Sequence, residues 1–324
     1  MTARFLRLAL APIVLAALAA CGGGGGGSDD STPAATGDMA AANYATTTGG
    51  VVDSVMTGLD FAGTIAGALP QGGGSGATAA AAQRGTFTLP QGRLERALVG
   101  RLMQRSVGPS ALATSTSSIA CSGGGQLVFT DTFASDTAVT KGDRVDVTSQ
   151  GCIEGGLPVT GSLALVVSQY SESQTALSAA ISLTATAFGS SDLRINGGAT
   201  ISVSANSASV SLAIAYQSMT ATTPEATLTW DHSFTYTFTD THETLSFGGI
   251  AHHAGASYTL RQDVPFDVTG TGVPASGQLS IIDKDGDRVQ VTADGAGFTY
   301  TFYVAGSNTP TAGPVQGIRF SSGL

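Results

Sequence analysis

The chain has 324 residues, of which only 11% are charged, and a formal net charge of −9 from 23 acids against 14 bases. An acidic chain gains nothing from counterion release on nucleic acid, which sets that partner class aside. With Gly, Ser, Thr and Ala dominant, the fold must rest on backbone hydrogen bonding and strand packing rather than on networks of ion pairs. The charge is also uneven. Arg84, Arg93, Arg96, Arg101 and Arg105 face a single acid, Glu95, whereas from Ser106 onward 17 acids stand against 7 bases.

At the N-terminus, Arg4 and Arg7 precede an apolar run from Leu8 to Leu18, broken only by Pro12, and then Ala19-Ala20-Cys21. A basic start, a short apolar core and small residues before a cleavage point make a secretory signal, with a core too short to span a bilayer. Leu18-Ala19-Ala20-Cys21 resembles the lipobox of bacterial lipoproteins. That resemblance implies cleavage before Cys21, lipid on its thiol and an acyl chain such as palmitate on the new amino terminus. Cleavage would remove Arg4 and Arg7 and take the charge from −9 to −11. In lipoproteins sorted by Lol-type machinery an aspartate after the cysteine often marks inner-membrane retention. Gly22 resembles the outer-membrane case, with the domain facing either the periplasm or the cell surface.

Six glycines follow Cys21, then Ser28-Asp29-Asp30-Ser31-Thr32-Pro33, the composition of a flexible tether. The tether is expected to run over 21–85. Within it Val52, Val55, Met56, Leu59, Ala62 and Leu69 have a loose helical spacing that predicts at most a short helix. Gly58, Gly63 and Gly67 each weaken it by about 1 kcal/mol. Over 86–112 a basic amphipathic helix is predicted, with Leu94, Leu98 and Leu102 on one stripe and arginines on the other side. It would cap the β domain or rest on a membrane surface.

From 113 to 324 the period becomes two. Ala226 to Phe238 places Leu228, Trp230, His232, Phe234, Tyr236 and Phe238 on one face and Thr227, Thr229, Asp231, Ser233, Thr235 and Thr237 on the other. Similar alternation over 177–184, 209–216 and 298–302, separated by turns such as Asn196-Gly197, Asp285-Gly286 and Asp294-Gly295, predicts hairpins. The expected fold is mainly β: an antiparallel meander of about a dozen strands forming a strongly curved sheet or open barrel, or else a β-sandwich. Against a membrane-spanning barrel stand the lipid anchor and an aromatic content of 6%.

Three cysteines, one assigned to lipid, leave Cys121 and Cys152 as an even pair in an exported chain. A disulfide between them would close a loop of about 30 residues and stabilise by about 3–4 kcal/mol. Cys121-Ser-Gly-Gly-Gly, Lys141-Gly-Asp-Arg-Val-Asp-Val147, Cys152, and Pro274-Ala-Ser-Gly-Gln-Leu-Ser-Ile281 resemble a loosely defined group of proteobacterial exported lipoproteins. The group has a cysteine-framed β domain, and the likeness covers about residues 119–304. It implies no catalytic residue.

Few residues suggest chemistry. Asp283, Asp285 and Asp287, with Asp294 at the twelfth place, superficially match a calcium loop, but Arg288 stands where such a loop needs glycine. An aspartate-glycine hairpin turn accounts for them more simply. His232 and His242 lie about 33 Å apart along a straight strand, too far to share a metal. The chain has no Gly-x-Ser-x-Gly and no His-Glu-x-x-His, and no cofactor is expected. The reading is therefore a non-catalytic envelope lipoprotein with a structural, adhesive or complex-accessory role. Its partners would be the membrane, through Cys21, and an envelope protein. The alternative is a carrier that holds an apolar ligand such as an acyl chain against Trp230, Phe234, Tyr236 and Phe238.

Overall fold

The computed structural model describes residues 34–66, 113–135, 139–173, 175–224, 226–269 and 274–319. The expected signal, the lipobox-like stretch at Cys21 and the basic helix expected over 86–112 lie outside the described residues.

The first strands are β1 (Ala113–Ala120), β2 (Gln126–Phe133) and β3 (Arg144–Gln150), followed by a separate small hairpin of β4 (Ile153–Glu154) and β5 (Leu157–Pro158). The long strands follow: β6 (Thr160–Glu172), β7 (Ala176–Gly189), β8 (Arg194–Asn206), β9 (Ser209–Thr222), β10 (Thr227–Thr239), β11 (Glu243–His253) and β12 (Ala256–Asp267). Shorter ones complete the chain: β13 (Ser276–Ile282), β14 (Arg288–Ala293), β15 (Gly297–Tyr303) and β16 (Ala312–Arg319). Apart from the small hairpin, all fourteen strands lie side by side in chain order in one antiparallel sheet, β1 to β16. The meander read from the sequence is present. It is open rather than closed into a barrel, and among the described residues no second large sheet makes it a sandwich.

The alternation of the sequence decides which face is buried. Val289, Val291 and Ala293 on β14 and Phe298, Tyr300 and Phe302 on β15 are buried, while Thr299 and Thr301 point the other way. Cross-strand register then joins them in rows, Leu279–Val291–Tyr300 and Ile281–Val289–Phe302. Such neighbours on one face are the unit of sheet stabilisation.

Three polar side chains hold some of the breaks in register. Asn196 Oδ1 accepts from the amide of Ala187, a residue with φ +45° where the β7–β8 pairing shifts. Asp231 accepts from the amide of Ser218, at φ +47°, where β9 and β10 slip. Gln262 accepts from Phe247 N at 2.8 Å and donates to Val264 O and Gln278 O, replacing ladder bonds lost where β12 departs from both neighbours. Bulges of this kind raise local twist and bend strands, and they let a fourteen-stranded sheet curl.

What the sheet curls around is the helix α1 (Tyr44–Ala66), which packs on β10 and β11 and on β15 and β16. Tyr44, Thr48, Val51, Val52 and Val55 are all buried, recurring at helical spacing. Within the span expected as a tether, where the spacing allowed a short helix, residues 34–59 pack against the sheet and the helix is 23 residues long. Its glycines and threonines give it little intrinsic propensity, and the apolar face of the sheet supplies what propensity does not. α1 joins the strands in one continuous core.

Candidate functional site

The residues singled out in the sequence fall in four separate places. Cys121 and Cys152 form a disulfide with Cα atoms 5.5 Å apart. It ties the end of β1 to the start of the small hairpin, where Gly123 N donates to Ile153 O at 2.8 Å and Ile153 N donates to Gly124 O at 2.9 Å. Cys152 is buried, and the bridge is a structural staple for the first strands.

The aspartates of the β13–β14 turn act as a clamp. Asp283, itself buried, accepts with Oδ1 from the amides of Asp285 and Asp287 at 3.0 and 2.9 Å, which shapes the turn. With Oδ2 it accepts from Met39 N at 2.9 Å, which ties the residues before α1 to the sheet. Asp38 and Asp285 approach Asp283 closely enough to suggest a cation site, but the Lys284 ammonium lies on both, 2.9 Å from Asp38 Oδ2. Those two carboxylates push the Lys284 pKa upward, so it stays charged. Asp287 is directed elsewhere and accepts from Ala305 N at 2.8 Å. Of the three aspartates of the calcium expectation only Asp283 and Asp285 converge, joined by Asp38, and the Lys284 ammonium lies on Asp38 and Asp285.

The four aromatic residues proposed as a ligand face divide into two groups. Tyr236 and Phe238 lie against each other with ring centroids 4.2 Å apart, and the Tyr236 hydroxyl donates to Glu243 at 2.7 Å. Partial burial, with that carboxylate beside it, pushes the Tyr236 pKa well up. Trp230 and Phe234 are instead buried around Tyr216, with ring centroids 5.3 and 6.4 Å away. Over Tyr216 lies α1, since the Tyr216 hydroxyl donates to Gly58 O at 2.5 Å. Further along, Val51, Val52, Val55 and Met56 fill the trough formed by Phe247, Leu260, Phe266, Leu279, Ile281, Val291 and Phe298. The void left there is about 20 Å³, room for one water but lined by apolar side chains alone. Between β10 and β15, a ligand would have to displace the helix.

The histidines also separate. His242 is exposed in the β10–β11 turn, and His253 ends β11 beneath Gly50. His252 Nε2 meets Asp231 at 2.9 Å on the opposite face from His232. His232 occupies an inward position of β10, 1% exposed, edge-on to Tyr216 at 5.4 Å. Its Nε2 has no hydrogen-bond partner among the described residues and faces α1 at Gly58. Burial, only partly opposed by Asp231, lowers its pKa from 6.5 to about 4, so the ring is neutral at pH 7. A histidine at an apolar-parity position was the signal in the sequence, and a glycine inside a helical pattern was its counterpart. Neither Gly58 nor Asp38 could be paired with its partner from spacing alone.

Compared with protein-family models, curated proteins and solved structures, the chain finds no match. Fold and site thus define a class in structural terms: an open antiparallel meander, disulfide-stapled at one edge and wrapped around its own N-terminal helix.

Proposed function

We propose that the protein is a lipid-anchored envelope protein, held in the outer membrane through Cys21, with a non-catalytic structural or complex-accessory role. The observation that carries this reading is the use made of its chemically capable side chains. Asp283, Asp231, Glu243, Lys284 and Gln262 are each engaged in joining one part of the fold to another. The Cys121–Cys152 disulfide supports an oxidising compartment, where such bridges persist. Occupation of the described trough by α1 supports an accessory role over that of an open carrier.

Metabolic labelling with a palmitate analogue, followed by membrane fractionation, tests the anchor. The expected result is label on the wild-type chain in the outer-membrane fraction and none on Cys21→Ser, which becomes soluble. An unlabelled wild-type chain, or a Cys21→Ser chain still in the membrane, would overturn it.

A further inference from the structure

The segment 34–66 is held to the sheet very unevenly. Before the helix the ties are polar and dense: Thr36 and Ser257 bond each other, Gly37 N donates to Ser257 O at 2.9 Å, and Met39 N and Asp38 join Asp283 and Lys284. Along the helix itself the contact is apolar, and the hydrogen bond from Tyr216 to Gly58 is its one described polar tie to the sheet. Two buried polar atoms in that interface, Thr48 Oγ1 and His232 Nε2, have no partner among the described residues. Leaving such a group buried without a partner disfavours the closed interface. Over 44–59 the helix is thus tied by apolar burial with a single described hydrogen bond, and the dense polar ties lie before its N-terminal end.

We propose that α1 is an acid-released strap: protonation of His232 frees the helix from the sheet about its pinned N-terminal end and uncovers the apolar trough of β11–β15. A proton on Nε2 would sit against the Gly58 backbone with no acceptor aimed at it. The groups facing the imidazole offer no relief. From β9 comes Tyr216, whose hydroxyl donates to Gly58 and which burial keeps protonated. On its own strand Asp231 favours the charged ring but is bound to His252 and Ser218, and His252 from β11 opposes the charge. From α1, Gly58 comes against the ring with its backbone. Asp53 on the helix is exposed and acts on Tyr300, and His253 meets the helix near Gly50, at the end of β11. With the helix displaced, the ring reaches water and regains its ordinary affinity for protons. Between pH 6.5 and 4 each unit of acidification then favours the open state by close to tenfold, about thirtyfold at pH 5 relative to pH 8.

The experiment is hydrogen exchange on the full-length chain in detergent from pH 8 to 4.5, corrected for the intrinsic pH dependence of exchange. Trp230, the single tryptophan, gives a parallel fluorescence signal. Amides over 51–59 are expected to lose about thirtyfold in protection by pH 5 while those of β13 and β14 hold, and His232→Phe is expected to abolish the change. His253→Phe should leave it intact. Loss of protection in the strands together with the helix, or a response that survives His232→Phe, would overturn the proposal. Should His232→Phe fail to fold, ring titration by NMR in the wild-type chain decides: opening of α1 without protonation of His232 refutes the strap.

Discussion

One substitution made at two places in α1 should have opposite signs. At Gly58 an added Cβ would lie 2.8 Å from His232 Nε2, 2.9 Å from its Cε1 and 3.4 Å from Tyr216 Cε2. His232 is 1% exposed and cannot retreat, so Gly58→Ala overpacks the interface at about 1–3 kcal/mol. The gain in helix propensity returns about 1 kcal/mol. The hydrogen bond from Tyr216 to Gly58 O, worth about 0.5–1.5 kcal/mol, is put at risk as well. The net expectation is a loss of about 1–2 kcal/mol. At Gly49 nothing lies within 4 Å of the added atom, so Gly49→Ala should keep the propensity gain and stabilise by about 1 kcal/mol. Gly50→Ala falls between them. Its Cβ would clash with the His253 ring, but that ring is half-exposed at a strand end and can swing aside. Urea unfolding followed by Trp230 fluorescence and far-UV circular dichroism separates the three. If Gly49→Ala and Gly58→Ala shift the midpoint in the same direction, the close approach of helix to His232 is wrong.

Other expectations are checked in the same assay. Thr48→Val replaces a buried, unpartnered hydroxyl with a methyl of similar shape and should stabilise by about 1 kcal/mol, with slower exchange in α1. Asp283→Ala removes the acceptor of Met39, Asp285 and Asp287 at once, and a loss of about 2–4 kcal/mol with proteolytic nicking near residue 38 is expected. His232 binds fewer protons folded than unfolded, because its pKa falls from 6.5 to about 4. Its contribution is complete above pH 6.5 and is lost as pH falls toward 4, about 3 kcal/mol in all, and His232→Phe should flatten that limb of the pH–stability curve. Reduction of Cys121–Cys152 should cost about 3 kcal/mol, with exchange rising first in β1 to β3 and last in β13 to β15.

Much of this architecture was legible because strand alternation is a local signal. The inward faces of β10 and β15 could be read from Trp230 to Phe234 and from Phe298 to Phe302 without knowing any neighbour, and the Asp285-Gly286 and Asp294-Gly295 turns placed the hairpins. The bulges were not legible, since Asn196, Asp231 and Gln262 act on backbone that belongs to another strand. The length of α1 is hard to read for a physical reason: Tyr44 to Ala66 is rich in glycine and threonine, and its helix is stabilised by the sheet rather than by its own propensity. The candidate site failed as a single place because parity assigns residues to a face and says nothing of position along it. Trp230 and Phe234 pack around Tyr216, Tyr236 and Phe238 cluster by Glu243, and Asp283 turns back to Met39.

The order in which the chain is made gives the helix a further significance. Every pairing in the sheet joins strands that follow one another along the chain, with only the small β4–β5 hairpin set between β3 and β6, so hairpins can add one at a time as the chain emerges. The segment at 34–66 is the exception. Its partners lie 158 residues ahead at Tyr216, 221 at Ser257 and 244 at Asp283. It is made before every described strand and can dock fully only after β13 is in place. Until then two complementary apolar surfaces exist in one molecule with nothing between them, the state in which a growing chain is most open to aggregation and to chaperones. Docking of this early-made segment onto the late-made strands is thus the step that completes the fold.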